Sequence, residues 1–288
     1  MEIFQTYDYS AELPLAVICV SGLKTLAAMH SHQFHELAVV VSGSGSYRTA
    51  NATFKLHPGD VFMLKPGMAH EYFEQRNLVV ENLIFEPERL QTHLYDLGAA
   101  PGYRAFFELE PQARGQNRGG GHLTVDGDQL EYLRGLLRRL QDELRRRQDG
   151  FLLMAVTYLA QIFTHLSRCF AASSHAPHRE LLRLEQVLAY LRKHYRREIT
   201  RGELAKLACM SESSLYRRFT QVLGQSPMQY LIEWRLAMAA EVLRHSNDGI
   251  LDIAARCGFS DSNYFGLRFR RQYHITPHQY RLQAGQKK

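Results

Sequence analysis

FTQVLGQSPMQY (Phe219–Tyr230) and FRRQYHITPHQY (Phe269–Tyr280) are nearly one phrase written twice, fifty residues apart. Each opens on a phenylalanine preceded by an arginine, Arg218 or Arg268, and each closes on Ser/Thr-Pro-x-Gln-Tyr. Self-similarity at a fixed spacing marks one small structural unit present in two copies.

Working outward, the first copy opens at Thr200, an N-cap with Glu203 in capping-box spacing, ahead of the short helix ELAKLAC (Glu203–Cys209). Ser211 caps the next helix, ESSLYRRFTQVLG (Glu212–Gly224), with Leu215 and Phe219 on its inner face. In the second copy ILDIAARC (Ile250–Cys257) is the short helix, Gly258 supplies the turn, and DSNYFGLRFRRQY (Asp261–Tyr273) is the second helix. Phe265 and Phe269 stand where Leu215 and Phe219 stood. A short helix, a tight turn and a second helix form a helix-turn-helix, whose second helix enters the major groove. Between the copies, Ser226–Ser246 reads as a single helix. At about 1.5 Å per residue it is long enough to hold two such units roughly one DNA turn apart.

The charge distribution agrees. Residues 179–288 hold 19 Lys+Arg against 10 Asp+Glu, a net +9, whereas the first 178 carry 16 against 19, a net −3. A basic half is a candidate for a polyanion. The total of 288 residues, 45% hydrophobic and 22% charged, fits a soluble protein of two domains. Cys19, Cys169, Cys209 and Cys257 form no C-x-x-C pair, and no basic segment followed by an apolar run opens the chain. A cytoplasmic protein with free thiols is expected. FLLMAVTYLAQIF (Phe151–Phe163) runs into polar THLSRCF, too short a stretch to span a bilayer, and reads as a buried helix with no membrane partner.

The N-terminal half has a different rhythm. From Cys19 to Phe85, short β-type runs such as LAVVV, VFMLK and LVVENLIF alternate with turn-like SGSGS, HPGD and PGMAH, as in an antiparallel sandwich or small barrel. PQARGQNRGGG (111–121) has no periodicity and is expected as a loop. Leu130, Leu133, Leu137, Leu140 and Leu144 fall on one stripe of an amphipathic helix, either packed on the barrel or forming a dimer seam. The fold expected is α+β. It has a cupin-like β-barrel over 1–110, a helical dimerisation segment over 122–170, a small-residue linker over 171–179, and an all-α domain with two helix-turn-helix units over 180–288.

GFSDSNYFGLRFRRQYHITPHQYR (Gly258–Arg281) resembles the C-terminal signature of the AraC/XylS family of transcription regulators, and SESSLYRRFTQVLGQSPMQYLIEWRLAMAAEVL (Ser211–Leu243) resembles its preceding half. The resemblance covers roughly 184–282 and implies a seven-helix DNA-binding domain acting as a gene activator, with no catalytic step. Carried over by position, the groove-facing residues are Ser213, Tyr216 and Arg217 in the first unit and Ser262, Asn263 and Gly266 in the second. Arg217 suits guanine or a phosphate, and Asn263 suits adenine. Arg218 and Arg268 are phosphate clamps or partners within the domain, the second being the plainer reading. Two departures stand out. His274 occupies the place of Gly224, where a left-handed residue is wanted, and Gly266 offers no side chain to a base. Asp252 and Asp261 read as helix N-caps or as contacts to a basic surface of RNA polymerase.

HSHQFHELAVVVSG (His30–Gly43) and GDVFMLKPGMAH (Gly59–His70) resemble the two motifs of the cupin barrel. On an extended strand His30 and His32 point the same way, Glu36 follows, and His70 arrives from a second strand, a credible divalent-metal set. In regulators with this barrel the same strands line an effector pocket, and an organic effector is preferred over a metal cofactor here. HQFHELAVVVSGSGSY (His32–Tyr47) and NLVVENLIFEPERL (Asn77–Leu90) are most similar to the L-rhamnose-responsive members of the family. The effector contacts expected are His32, His35, Glu36, Tyr47, Arg48, His70 and Tyr72, a set rich in hydroxyl partners and stacking faces. His35 and Glu36 alternate, so one pocket holds both only if a bulge intervenes. The expectation is thus a homodimeric, sugar-responsive activator that binds double-stranded DNA and RNA polymerase. The alternatives are a regulator of another sugar, a repressor, or a metal-dependent cupin enzyme with a DNA-binding appendage.

Overall fold

The computed structural model describes residues 15–21, 29–90, 100, 102–115 and 122–285. Two compact units divide between Leu182 and Arg183.

The first unit is built on one antiparallel sheet of β1 (Leu15–Ser21), β2 (His35–Thr49), β3 (Thr53–Leu56), β4 (Asp60–Leu64), β5 (His70–Phe85) and β6 (Leu123–Thr124). The strand order is β1-β5-β2-β4-β6, with β3 paired to β2. SGSGS, expected as a turn, lies inside β2, where a series of bulges shifts the register against β5 between Val40 and Ser46. The reason is local. Gly43 has φ +76°, and a Cβ there would sit 2.1 Å from the Asn77 carbonyl oxygen, so only glycine lets the two chains pass. Beyond the bulges the pairing resumes, with Tyr47 opposite Tyr72 and Thr49 opposite His70. One face of the sheet closes on a core of Ala38, Val40, Tyr47, Leu56, Phe62, Leu64, Tyr72, Leu78 and Val80. The other face meets helices, with Phe85 5.0 Å from Phe163, centroid to centroid.

The helices of this unit are α1 (Pro87–Leu90), α2 (Glu110–Gly115), α3 (Gly127–Arg146) and α4 (Phe151–Ala172), with a π-helical turn at Ala105–Leu109 leading into α2. Part of the expected loop over 111–121 is therefore helical, and 116–121 lies outside the described residues. Asp126 and Gln129 form a complete capping box at the start of α3. Leu133, Leu136, Leu137 and Leu140 of α3 are buried within this chain. Packing against α4 and β1 accounts for the centre of the leucine stripe, while Leu130 and Leu144 at its two ends stay half-buried. The linker expected over 171–179 shrinks to residues 173–175, because α4 runs to Ala172 and α5 (Ala176–His194) starts directly after. Ser173 Oγ and His178 Nδ1 lie 2.8 Å apart and the His178 ring packs on Phe170, which fixes this corner. The division between the units falls inside α5.

The second unit holds α6 (Arg201–Leu207), α7 (Glu212–Leu223), α8 (Pro227–His245), α9 (Ile250–Arg256), α10 (Ser262–Tyr273) and α11 (Pro277–Gly285). With α5 these make the seven helices expected. The repeated phrase is a helix start. Ser226 and Thr276 are the caps, Pro227 and Pro277 open α8 and α11, and the cap hydroxyls accept from the backbone N–H of Gln229 and Gln279 at 3.2 and 3.3 Å. Each tyrosine of the phrase then packs edge-on against the preceding phenylalanine, Tyr230 on Phe219 and Tyr280 on Phe269. An arginine donates to each tyrosine hydroxyl, Arg192 to Tyr230 and Arg244 to Tyr280. At Thr200 half of the expected capping box forms. Its hydroxyl accepts from Glu203 N–H at 3.2 Å, while the Glu203 carboxylate engages Tyr190 and Arg197.

Candidate functional site

Two helix-turn-helix units are present, α6 with α7 and α9 with α10. In the first, Cys209 takes the left-handed turn conformation at φ 51° and Ser211 caps α7. In the second, Gly258 does so at φ +89° and Asp261 caps α10, one residue further along. Leu215, Phe219, Phe265 and Phe269 are buried as expected. Their burial turns the opposite faces of α7 and α10 outward. Ser213, Arg217, Ser262 and Asn263 are exposed, and Gly266 has open space beside its Cα. Tyr216 is half-buried under the Arg201 guanidinium, 5.1 Å from the ring centroid.

Arg218 and Arg268 are half-buried. Arg268 donates to Gln229 Oε1 at 2.8 Å, and Gln229 in turn donates to Glu233 at 2.7 Å, so Arg268 ties α10 to α8. Asp261 is the expected cap and accepts from Asn263 and Tyr264 N–H. Asp252 instead sits in the first turn of α9, whose N-cap is Gly249. His274 takes the left-handed conformation at φ 62°, matching Gly224 at φ 75°. The sequence reading missed Leu267, 69% exposed at the place equivalent to Arg217, together with exposed Arg270 and Arg271. The fifty-residue offset that pairs Phe219 with Phe269 would have found Leu267.

Inside the sheet unit the candidate effector residues separate into two groups. Glu36 faces the interior, while its neighbour His35 lies on the other face with its ring 5.8 Å from Phe85. Arg48 also points away from the interior, pairs with Glu71 and covers the Phe73 ring. Strand alternation is the cause in both cases, and no bulge intervenes at either position. His32, Glu36, Tyr47, His70 and Tyr72 are brought together and buried. His30 is not on a strand with His32. It makes an isolated bridge to His70, residues 31–34 bend before β2 begins, and the bend lets His32 and Glu36 converge.

The geometry within the group is specific. His32 Nδ1 lies 2.8 Å from the Phe34 carbonyl oxygen and His70 Nδ1 lies 3.0 Å from that of Met68. Each Nδ1 therefore carries the proton and donates it, and each Nε2 presents a lone pair. His32 Nε2 is 3.4 Å from Glu36 Oε2, and the His70 and His32 ring centroids are 5.3 Å apart. Burial pushes the Glu36 carboxyl up to about 8, and lowers His32 to about 4 and His70 to about 3. At neutral pH this interior is thus uncharged around the two imidazoles. Burial also pushes the Tyr47 phenol up to about 12.

Arg114, also missed, sits at the edge of this group and is 1% exposed. It donates from Nε to Glu110 Oε1 at 2.8 Å, from Nη1 to Tyr47 Oη at 3.5 Å, and from Nη2 to the Met63 carbonyl. Burial works against its charge, but the Glu110 carboxylate outweighs that and holds the guanidinium above its ordinary range. No sequence signal marked it, because an arginine in an aperiodic polar stretch reads as solvated.

A sheet unit with a buried polar interior, carried on the same chain as a doubled helix-turn-helix, defines a ligand-responsive DNA-binding regulator. The comparisons with known proteins agree. Residues 24–163 match the family described as "AraC-like ligand binding domain" and residues 204–283 match "Helix-turn-helix domain". The chain is 31% identical over 284 residues to the "HTH-type transcriptional activator RhaR" of Yersinia pseudotuberculosis serotype O:1b (strain IP 31758), covering 97% of this chain and 93% of the relative. The protein of the same name from Escherichia coli O1:K1 / APEC is 29% identical, with 90% and 89% covered. An AraC-type DNA-binding protein of Chromobacterium violaceum of known structure is 29% identical over 36% of this chain and 93% of its own, with a TM-score of 0.35. The chain belongs to the AraC family of transcription regulators, a non-enzymatic family. Among the described residues no helix is long and apolar enough to cross a membrane, and the four cysteines are free thiols.

Proposed function

We propose that the protein is a transcription activator whose sheet unit takes L-rhamnose, or a closely related deoxyhexose, as its effector. The observation that carries this reading is the likeness, over both units in order, to relatives named as RhaR activators. It is supported by the interior group of His32, Glu36, His70, Tyr47 and Tyr72, with Arg114 beside it, which supplies donors, acceptors and flat faces for a small polyhydroxylated molecule. Sugar bound there shifts a population of arrangements toward those in which α7 and α10 fit adjacent half-sites. Ser213, Tyr216, Arg217, Ser262 and Asn263 face the bases or backbone, while Arg218 and Arg268 hold the recognition helices in place. The active species is a homodimer in the cytoplasm. Asp252, exposed in the first turn of α9, faces RNA polymerase.

The test is promoter binding and run-off transcription by the full-length protein with L-rhamnose, L-fucose or L-arabinose. The reading requires that L-rhamnose raise transcript yield and that His70→Ala abolish the response while basal DNA binding persists. A response confined to another sugar, or repression by L-rhamnose, would overturn it.

A further inference from the structure

Two imidazoles and a carboxylate meet in the sheet interior, and their hydrogen-bond inventory is incomplete. His32, Glu36 and His70 are all buried, and one ligating atom from each lies within 4.8 Å of the other two. Both Nδ1 atoms are committed to backbone carbonyls two residues away, which fixes the rings and aims both Nε2 lone pairs inward. Among the described residues neither Nε2 has a hydrogen-bond donor. The 3.4 Å approach of His32 Nε2 to Glu36 Oε2 is too long and misaligned to be one. Even a protonated Glu36 would bring a single donor to two lone pairs. Buried acceptors left in this state are costly, and native proteins satisfy them with water, a ligand or an ion.

We infer that His32, Glu36 and His70 hold a divalent first-row transition ion such as Zn²⁺ or Fe²⁺. Two nitrogens and one carboxylate oxygen are the donor set that such ions accept, and three protein donors leave coordination positions open. Bonds of about 2.1 Å set ligand atoms about 3.4 Å apart in a tetrahedral site, so a small closure of the three side chains completes the geometry. The carbonyls of Phe34 and Met68 supply the outer contacts that orient ligating histidines and fix their tautomer. The three donors come from the bend before β2, from the first residues of β2 and from the start of β5. The ion therefore joins segments that are far apart in sequence. His30, adjacent through the His70 ring at 4.2 Å, lies outside the three-ligand group. This inference shares residues with the effector reading but does not rest on it, since an ion can occupy the group whether or not a sugar binds beside it.

The test uses the full-length protein, stripped with a chelator and then titrated with Zn²⁺ or Co²⁺ alone. One ion per chain is expected by elemental analysis, with Co²⁺ absorption of nitrogen–oxygen ligation and no thiolate charge-transfer band. Isosteric Glu36→Gln and His70→Ala should weaken binding by at least tenfold, while His57→Ala, a more exposed histidine, leaves it unchanged. A stripped protein that takes up no ion, a thiolate band, or uptake unaffected by Glu36→Gln would overturn the inference; in each case the two lone pairs belong to water or an organic ligand. Should the variants fail to fold, the wild-type stoichiometry and Co²⁺ spectrum still decide it. Thermal shift with L-rhamnose on stripped and reloaded protein separates the two readings. A sugar shift without metal uptake leaves the effector reading standing alone, and metal uptake without a sugar response leaves the ion standing alone.

Discussion

Gly258→Ala tests the turn of the second helix-turn-helix. The backbone there has φ +89°, and an added Cβ would lie 2.6 Å from the Tyr195 carbonyl oxygen and 2.8 Å from Arg235 Nε. Neither neighbour can yield readily, because Arg235 donates from Nε to Tyr195 O at 2.6 Å and from Nη2 to Arg197 O at 2.7 Å. The left-handed conformation costs an alanine about 1–2 kcal/mol and overpacking adds about 1–3 kcal/mol, offset by about 0.4–1 kcal/mol from the stiffer unfolded chain. A net loss of about 1–4.5 kcal/mol is expected. Trp234 is the only tryptophan in the chain and lies on α8, so its fluorescence reports the helical unit selectively. At a urea slope of about 1.5 kcal/mol per M, the midpoint should fall by about 0.7–3 M. Gly266→Ala is the matched control. It lies inside α10 with nothing within 4 Å of the new methyl, so it should raise the midpoint through about 0.5–1 kcal/mol of helix propensity. A Gly258→Ala midpoint within about 0.3 M of wild type on that same slope, or a loss at Gly266→Ala, would refute the packing described for α9 and α10.

Arg217→Ala should weaken operator binding by about 1–3 kcal/mol, with the loss confined to one base position if Arg217 reads guanine. If it contacts a phosphate, the loss should be uniform across sequences with a shallower salt dependence, and unchanged affinity in gel-shift titrations would remove it from the interface. Arg114→Met leaves Glu110 buried without its partner and should cost about 3–5 kcal/mol, much of it recovered in the double variant Arg114→Met/Glu110→Leu. Equal thermal destabilisation of single and double variants would show that the pair is not coupled. His274→Gly places glycine at φ 62° and should stabilise the helical unit by about 0.5–1 kcal/mol, read again from Trp234 in urea. A lower midpoint would mean that the imidazole contributes a contact worth more than the backbone strain.

The helical unit was legible because its determinants are local. The Ser211 cap, the turn at Gly258 and the inward Phe265 and Phe269 each depend on residues a few positions apart and were found where expected, whereas the Thr200 capping box forms by half and Asp252 sits in the first turn of α9 rather than at its cap. The sheet unit depends on pairings between distant segments, and the departures cluster there. SGSGS has turn composition, yet the cross-strand demand at Asn77 makes it a bulge in one long strand. His30 and His32 share parity only on an extended strand, and the bend over 31–34 removes that condition. The α3 leucines announced an apolar face but not what covers it. Ala-Ser-Ser-His looked like a linker because small polar residues suit both a tether and a three-residue corner between helices. Arg114 was invisible because its burial rests on Glu110 and Tyr47, and no periodicity reports such partners.

The two recognition helices are not equivalent. Where α7 exposes Arg217, α10 exposes Leu267, and the turn before α10 is one residue longer than the turn before α7. A guanidinium gains its affinity from phosphates or guanine and weakens as salt rises, whereas an isobutyl group favours a thymine methyl and is nearly indifferent to salt. Under the proposed docking of α7 and α10, one chain would present a polar reader and an apolar reader in fixed sequence order. A pair of identical readers related by a twofold axis cannot tell one direction along a duplex from the other. Two unlike readers on one chain can, so under that docking a single bound subunit has a heading on the DNA.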